Sequence, residues 1–208
     1  MEGTSIQKPP WEPPEASPLL RPARLWSQAE VLTGAAPPAS PGVYAWYFRE
    51  IPPDVPTKGC IVHDGLTLLY IGISPAAPRR NGRPTSRANL RKRIRTHLRG
   101  NASGSTLRLT LGCLLAAQLR IELRRVGSGA RLTFDDGEDA LSAWLERNAF
   151  VTWVVNSEPW VLEKQIIQHV SLPLNLDHNQ YHRFAPRLVE VRRLAKARAR
   201  ELPVLGHR

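Results

Sequence analysis

Residues 42–48 have the sequence Gly-Val-Tyr-Ala-Trp-Tyr-Phe, and residues 68–73 have the sequence Leu-Leu-Tyr-Ile-Gly-Ile. Both runs are rich in the β-branched and aromatic residues that are typical of strands. The segment between them, residues 49–67, contains three prolines and two glycines and is too long for a tight hairpin. We therefore predict two neighbouring strands that are joined by a loop rich in turns.

A helix is predicted after the second strand, because Leu90, Ile94 and Leu98 recur at a spacing that stacks them on one face. Ser86 is a candidate N-cap, and Gly100 stands where a glycine commonly ends a helix. The other faces of this helix are nearly all arginine. We expect it to pack through its apolar face and to leave a cationic surface.

Periodicity and capping signals predict the remaining elements. They are a more deeply buried helix with leucines from 107 to 119, a short helix at 140–147, an apolar run at 150–155 that suits a central strand, a helix capped by Ser157 that runs to about Val170, and a basic amphipathic helix at about 185–200. This order predicts an α/β fold, with a small central β-sheet of about three strands flanked by helices.

The first 41 residues contain nine of the 19 prolines, interleaved with Ser, Ala and Glu. Such a stretch cannot continue a helix or pair in a central strand. We predict that residues 1–38 form a mostly extended tail, with Trp11 and Trp26 as candidates to fasten it to a globular domain at 39–182. The basic C-terminal helix, at 183–208, follows that domain.

Basic residues outnumber acidic residues by 29 to 18, and the excess lies in two segments. Residues 79–99 contain nine basic and no acidic residues, and residues 183–208 contain eight basic and two acidic residues. This concentration favours a polyanionic partner, with nucleic acid as the first candidate and a merely solvated basic face as the alternative. A membrane is not expected as a partner, because the first segment has too few apolar residues to insert. The candidate nucleic-acid contacts are Arg79, Arg80, Arg83, Arg87, Arg91, Lys92, Arg95, Arg99, Arg183, Arg187, Arg192 and Arg193.

The sequence also bears on the cellular compartment. No stretch approaches the roughly 18 uncharged apolar residues of a membrane span, and no apolar signal segment follows a basic N-terminus. The two cysteines, Cys60 and Cys113, cannot build a disulfide framework and are expected to be reduced. We expect a cytoplasmic protein, and the sequence gives no indication of its oligomeric state.

Glu163 is the most informative single position. In a helix with about 100° per residue, it lies between Ile166 and Ile167 on the apolar face. A charge there is costly unless it is paired or binds a metal. Two interpretations stay open: a buried salt bridge to an arginine of the basic helix, or a metal ligand at a phosphate site.

Arg93 and His97 are four residues apart and border the apolar stripe of the basic helix. An arginine fork suits a phosphoryl oxygen, and an imidazole beside it can donate or relay a proton. His169, His178 and His182 lack a cysteine or second acid to complete a metal set and are expected at the surface. The acidic residues between 135 and 139 are explained by the dipole of the helix that they begin.

Taken together, these residues resemble the motifs of the GIY-YIG nuclease superfamily. The resemblance covers roughly residues 41–180, and both tails lie outside it. Its first motif has valine in place of isoleucine, and its two strand motifs are separated by a longer loop than in the smallest members. The matching positions are Gly42-Val43-Tyr44, Tyr70-Ile71-Gly72, Arg93 and His97, Glu163, and Asn175 after Pro173.

The resemblance implies a nuclease domain at 39–182 with six active-site residues. Tyr44 would take a proton from the attacking water, and Tyr70 would line the same pocket. Arg93 would hold the scissile phosphate, and His97 would assist in proton transfer. Glu163 would be the sole carboxylate ligand of one divalent cation, Mg²⁺ or Mn²⁺, and Asn175 would tie the end of its helix to the site.

The expected function is therefore metal-dependent hydrolysis of phosphodiester bonds in double-stranded or branched DNA. Gly72 would leave room for the backbone to approach the substrate. Two alternatives stay open. One is a catalytically silent nucleic-acid-binding module of the same fold, and the other is a nuclease that acts on RNA.

Overall fold

A computed structural model describes residues 11–34, 37–78 and 88–206. After a short 3₁₀ turn at Pro14–Ala16, its elements are α1 (Ser17–Leu20), α2 (Gln28–Thr33), β1 (Gly42–Phe48), β2 (Val62–His63), β3 (Leu66–Ser74), α3 (Leu90–Arg99), α4 (Thr106–Leu114), α5 (Ala116–Leu119), β4 (Arg124–Val126), β5 (Arg131–Thr133), α6 (Gly137–Asn148), β6 (Ala149–Val155), α7 (Pro159–His169) and α8 (Ala185–Glu201). The predicted α/β class is confirmed. None of the described helices is long and apolar enough to cross a membrane.

The main sheet is antiparallel and has the strand order β2-β3-β1-β6. The prediction that residues 42–48 and 68–73 form neighbouring strands is confirmed, because β1 pairs directly with β3. The sheet has one strand more than the three expected, the two-residue β2. Strands β4 and β5 form a separate two-stranded sheet.

The predicted central position of the strand at 150–155 is wrong, because β6 lies at the edge of the sheet. Its outer edge is covered by the N-terminal segment: Trp26 and Val151 exchange two backbone hydrogen bonds of 2.9 Å. This cover buries Val151 and leaves Trp153 half-buried, which accounts for apolar residues in the middle of an edge strand, whereas Val155 at its end is exposed.

The hydrophobic core lies on both faces of this sheet. All seven residues of β1 are buried, and they alternate between the two faces. Tyr44, Trp46 and Phe48 face a layer that contains α3, α4 and α6, whereas Val43 and Tyr47 face α1 and α7. Residues two apart in a strand point to the same side of the sheet. Tyr44 therefore shares with Trp46 and Phe48 the face that α3 covers.

The described part of the proline-rich segment is not a mostly extended tail. It contains the 3₁₀ turn, α1 and α2, and Leu19 and Leu20 of α1 are buried. Prolines stand in the first turns of the 3₁₀ helix and of α1, where the missing N–H group costs nothing. The prediction that Trp11 and Trp26 fasten this segment to the domain is confirmed. Trp11 stacks on His169 with 4.4 Å between the ring centroids, and Trp26 stacks on Trp153 with 5.7 Å between the ring centroids.

The helix caps differ from those predicted. The predicted cap Ser86 lies outside the described residues, and α3 is capped by Asn89, whose Oδ1 accepts a 3.0 Å hydrogen bond from the Lys92 N–H group. Ser157 does not cap α7, which begins at Pro159 without a side-chain cap. Asn156 turns the chain there by accepting a 2.8 Å bond from the N–H group of residue 158.

Two further helix predictions have different outcomes. The leucine-rich stretch at 107–119 forms two helices, α4 and α5, which are separated at Leu115. The basic helix predicted at about 185–200 is confirmed as α8.

A buried ion pair connects three of the helices that cover the sheet. The Arg108 side chain of α4 is fully buried and donates hydrogen bonds of 3.0 and 2.7 Å to the carboxylate of Glu138, which lies in the first turn of α6. It also donates to the carbonyl oxygens of His97 and Leu98, at 3.3 and 3.1 Å. The helix dipole was expected to explain the acidic residues between 135 and 139. That explanation is incomplete, because Glu138 is the ion-pair partner of a buried arginine that holds the end of α3.

Candidate active site

Tyr44 lies at the centre of the candidate site. It is 1% exposed, and its phenol oxygen is 2.7 Å from Nε2 of His97. The same oxygen accepts a longer hydrogen bond of 3.4 Å from Nε of Arg93. Burial raises the pKa of Tyr44 well above its usual value, the charge of Tyr70 acts in the same direction, and the Arg93 guanidinium acts against both.

Gly72 provides the space that the Tyr44 ring occupies. The two residues are directly opposite each other in the β1–β3 ladder. A Cβ atom on Gly72 would lie only 2.6 Å from Cζ of Tyr44. The glycine was expected to let the backbone approach a substrate, but the structure shows that the ring of Tyr44 fills this space.

His97 of α3 contacts polar groups through both ring nitrogens. Its Nδ1 atom is 2.7 Å from Oγ of Ser105, and the whole residue is 1% exposed. Burial, followed by the charges of Arg93 and Arg108, lowers the pKa of His97 well below its usual value. The imidazole is therefore neutral at physiological pH.

Sequence reasoning missed Ser105 and Arg108. The only signal was that Ser105 precedes a helix, where serine is a common N-cap. It does cap α4, and its hydroxyl oxygen accepts a 3.0 Å hydrogen bond from the Arg108 N–H group. No pattern in the sequence indicated that the same hydroxyl contacts His97.

Arg93 is fixed by two contacts and retains further donors. Besides its bond to Tyr44, its Nη1 atom donates a 2.9 Å hydrogen bond to the carbonyl oxygen of Gly104. A guanidinium has five N–H groups, so three have no partner among the described residues. These groups suit an anionic oxygen beside Tyr44.

Tyr70 is half-buried on β3, and its ring lies edge-on to His97 with 6.3 Å between the centroids. Burial raises the pKa of its hydroxyl. Tyr70 also lines a cavity of about 430 Å³ that contains Glu163 and Asn175. It therefore joins the Tyr44 cluster to this cavity.

Glu163 faces this cavity from α7. It makes no salt bridge within residues 11–34, 37–78 and 88–206, so the described chain does not support the interpretation of a buried salt bridge. Burial, together with the charge of Asp177, raises the pKa of Glu163 to about 7. An unpaired, partly buried carboxylate in a cavity fits a hard divalent cation that keeps several of its waters.

Asn175 connects the segment after α7 to β3. Its side-chain amide accepts a 3.0 Å hydrogen bond from the Ile71 N–H group and donates a 2.9 Å bond to the Ile71 carbonyl oxygen. Ile71 lies between Tyr70 and Gly72. Asn175 therefore fixes the strand that carries both residues, whereas the resemblance implied a tie at the end of its helix.

The predicted basic contacts fall into three groups. Arg79, Arg80, Arg83 and Arg87 lie outside the described residues. Arg91, Lys92, Arg95 and Arg99 are exposed on α3, with Arg91 bonded to the Pro37 carbonyl oxygen. In the C-terminal segment, Arg183 is exposed, Arg187 pairs with Asp54, Arg193 pairs with Glu190, and Arg192 lines the cavity.

Three histidines, His169, His178 and His182, were expected at the surface, and two of them are exposed. His169 and His178 are exposed, but His182 is half-buried, and its Nε2 atom lies 3.1 Å from Oγ of Ser171. Within the described chain, no three His, Cys, Asp or Glu side chains form a metal-binding group. Cys60 and Cys113 are both free thiols, as predicted.

A model of the GIY-YIG catalytic domain matches residues 42–194. The chain belongs to the GIY-YIG superfamily. The match begins at the first strand motif and ends within α8, beyond residue 180, where the resemblance was expected to end. Neither the curated proteins nor the solved structures gave a significant match. Membership in this superfamily implies nuclease activity and a nucleic acid substrate in general.

The fit between Gly72 and Tyr44 leads to the first prediction. Gly72→Ala should lower the free energy of unfolding by about 1–3 kcal/mol, because the new methyl group overlaps the tyrosine ring. Gly34→Ala is the control, since among the described residues, Gly34 and its two chain neighbours aside, no atom lies within 4 Å of its added Cβ, and it should change stability by no more than about 0.5 kcal/mol. Urea denaturation measures both. Equal stabilities would contradict the placement of the ring.

The raised pKa of Glu163 leads to a prediction on pH. The Glu163 carboxyl of the folded protein has a pKa of about 7, whereas the ordinary pKa of a glutamate carboxyl is 4.5. The free energy of unfolding should therefore fall as the pH rises from about 4.5 to about 7, by at most about 3 kcal/mol. Glu163→Gln should remove this dependence and be more stable than wild type at pH 8 in a chelating buffer. Parallel pH profiles of the two proteins would contradict it.

Proposed function

We propose that this chain is an endonuclease that hydrolyses phosphodiester bonds in DNA with the help of one divalent cation. The observation that carries the proposal is the cluster around the Tyr44 oxygen, which has His97 at 2.7 Å and Arg93 at 3.4 Å. Tyr70 links this cluster to the cavity of Glu163. In this proposal a base, an anion-binding fork and a cation ligand act together on one phosphate.

Tyr44 is proposed as the general base. Burial keeps its hydroxyl protonated in the free protein. The phenol therefore needs positive charge nearby before it can take a proton from water at neutral pH. Arg93 supplies part of this charge, since its guanidinium lowers the pKa of Tyr44 against the effect of burial.

Arg93 is proposed to hold the scissile phosphate. Its contacts with Tyr44 and Gly104 fix the guanidinium plane and leave donors for two phosphoryl oxygens. The negative charge on these oxygens grows in the transition state, and a donor already in place stabilises it without reorganisation. His97, being neutral, supports Tyr44 by hydrogen bonding instead of contributing a positive charge.

Glu163 is proposed to hold the divalent cation, Mg²⁺ or Mn²⁺. The fit rests on its lack of an ion-pair partner among the described residues and on a pKa that burial raises to about 7. A bound cation would supply neutralisation of phosphate charge and would acidify a coordinated water. Asn175 keeps β3, which carries Tyr70 into the cavity lining, in place through its two hydrogen bonds to Ile71.

The presence of all six expected residues favours an enzyme over a silent binding module. Arg93 and His97 both contact the Tyr44 oxygen, and Tyr70, Glu163 and Asn175 line the adjoining cavity. A module that only binds would not need an unpaired carboxylate beside its basic surface. The predicted basic contacts of α3, together with Arg187, Arg192 and Arg193 of α8, are proposed to contact phosphates, which position nucleic acid without reading its sequence.

Removal of the Tyr44 hydroxyl tests this proposal, and removal of the Tyr47 hydroxyl from the same strand is the control. Tyr44→Phe should reduce the cleavage rate by about 100 to 10,000-fold, because it removes the base but keeps the ring. Tyr47→Phe also removes one buried hydroxyl, which donates a 2.8 Å bond to the Leu19 carbonyl oxygen on the opposite face of β1. Each variant should lose about 1 kcal/mol of stability, and Tyr47→Phe should retain its activity.

The assay compares supercoiled, linear, branched and single-stranded DNA, and RNA, with and without Mg²⁺ or Mn²⁺. Cleavage of DNA that requires the cation and Tyr44 supports the proposal. Equal losses of cleavage rate in Tyr44→Phe and Tyr47→Phe would show that activity depends on the integrity of β1 and not on the Tyr44 hydroxyl. Binding of nucleic acid without cleavage of any substrate would identify a catalytically silent module. Cleavage of RNA but not of DNA would show that the substrate is RNA.

A further inference from the structure

Helix α8 forms one wall of the cavity that contains Glu163. Val189, Arg192, Arg193 and Lys196 lie on one side of this helix and line the cavity. The opposite wall carries Glu163 and the half-buried Tyr70. The end of the chain predicted as a separate basic helix therefore belongs to the candidate site.

The cations of α8 differ in their partners. Arg193 makes two hydrogen bonds to Glu190, of 2.7 and 2.8 Å, and Arg198 contacts Glu122 and Glu201. Arg192 and Lys196 are half-buried and have no ion pair within the described parts of the chain. Of the three cations on α8 that line the cavity, Arg192 and Lys196 are thus the two without an ion-pair partner among the described residues.

This arrangement is unfavourable without an anion. Like charges four residues apart on a helix repel each other, and partial burial adds a desolvation cost. Their charges also reach inward: burial raises the pKa of Cys113 on α4 to about 11, and the charges of Arg192 and Lys196 act in the opposite direction. A bound phosphate would offset both costs.

We propose that Arg192 and Lys196 hold a phosphate of the substrate strand next to the phosphate that is cleaved. The proposal rests on the proposed nucleic acid substrate and extends it. Arg93 and Glu163 act on the scissile phosphate, while α8 holds the neighbouring one across the cavity. The contact exists before and during the reaction, so it should contribute to binding and not to the rate of the bound complex.

Salt-dependent binding tests this subsite. Arg192→Gln/Lys196→Gln is compared with Arg198→Gln/Arg200→Gln, which removes the same charge from the same helix outside the cavity. Anisotropy of a labelled duplex of about 20 base pairs is followed against KCl without divalent cation. The cavity variant should lose about 1.8 from the slope of log K on log [KCl], since each phosphate contact contributes about 0.9. The control should lose less than half of that.

Kinetics provide a second readout. The cavity variant should raise KM with kcat nearly unchanged. Equal slopes for the two variants, or a wild-type protein that binds duplex without salt dependence, would overturn the subsite. Salt-dependent binding that needs Arg192 and Lys196 in a wild-type protein that cleaves nothing would support the subsite and overturn the nuclease proposal.

A second inference concerns Ser105. Its hydroxyl oxygen accepts the Arg108 N–H group at 3.0 Å and lies 2.7 Å from Nδ1 of His97, and the residue is 1% exposed. The hydroxyl hydrogen has one acceptor among the described groups, which is Nδ1. A neutral imidazole has one donor and one acceptor nitrogen, so two arrangements compete. If Ser105 donates to Nδ1, the imidazole carries its proton on Nε2 and donates it to the Tyr44 oxygen, and the Tyr44 hydroxyl turns its own hydrogen away from His97. If Tyr44 donates to Nε2 instead, the proton is on Nδ1 and is donated to Ser105.

We infer that Ser105 is a positioning residue that fixes the Nε2–H tautomer of His97. Two N–H groups, from His97 and Arg93, then face the Tyr44 oxygen. Both stabilise negative charge on it, which is what the proposed general base requires. The consequence for catalysis rests on the proposed function, whereas the tautomer does not.

Nitrogen-15 NMR of labelled histidine measures the tautomer directly. Wild type should carry the proton on Nε2, Ser105→Ala should give a mixture, and Ser105→Thr should restore the wild-type signal. Ser27→Ala is the control for the lost cap, because Ser27 caps α2 through a 3.4 Å bond from the Glu30 N–H group. It should leave the His97 signal unchanged.

Cleavage assays extend this test. Ser105→Ala should lower kcat by about 10-fold, equivalent to about 1.4 kcal/mol, and Ser105→Thr should recover it. An Nδ1–H tautomer in wild type, or an unchanged His97 signal in Ser105→Ala, would overturn the inference. Because the NMR signal does not depend on turnover, failure of the nuclease proposal would leave this result intact.

Discussion

The steric fit between the Tyr44 ring and the bare backbone of Gly72 is the constraint on which the candidate site depends. The two residues are paired across β1 and β3, so the register of these strands decides whether the ring has room. A shift of one residue would move Tyr44 to the other face and away from α3. With the ring in place, its oxygen reaches His97 at 2.7 Å.

The helix above this ring is held by a buried charge. Arg108 binds Glu138 and the last carbonyl groups of α3, and the residue that caps its helix, Ser105, contacts His97. Such an ion pair adds little net stability, because desolvation offsets much of the attraction. Its effect is geometric, since it joins α3, α4 and α6 in one arrangement and thereby sets where Arg93 and His97 lie.

The cavity beside Tyr70 combines opposite charges that do not neutralise each other. Glu163 faces it from α7, and Arg192 and Lys196 face it from α8, with no ion pair between the walls. An arrangement of this kind suits a ligand set that brings both signs, as a phosphate and a divalent cation do. Burial and the charge of Asp177, which lines the same cavity, raise the pKa of Glu163.

The sequence by itself determined the strand pair, the arginine helix α3, the basic helix α8 and the residues of the site motifs, because local periodicity and residue type encode these features. Only the tertiary structure decided that β6 is a covered edge, that Gly72 makes room for Tyr44, and that Ser105 and the Arg108–Glu138 pair support His97. Each of these depends on contacts between segments distant in the chain. No local pattern records which buried polar group will find which partner, since that choice is made when the layers pack.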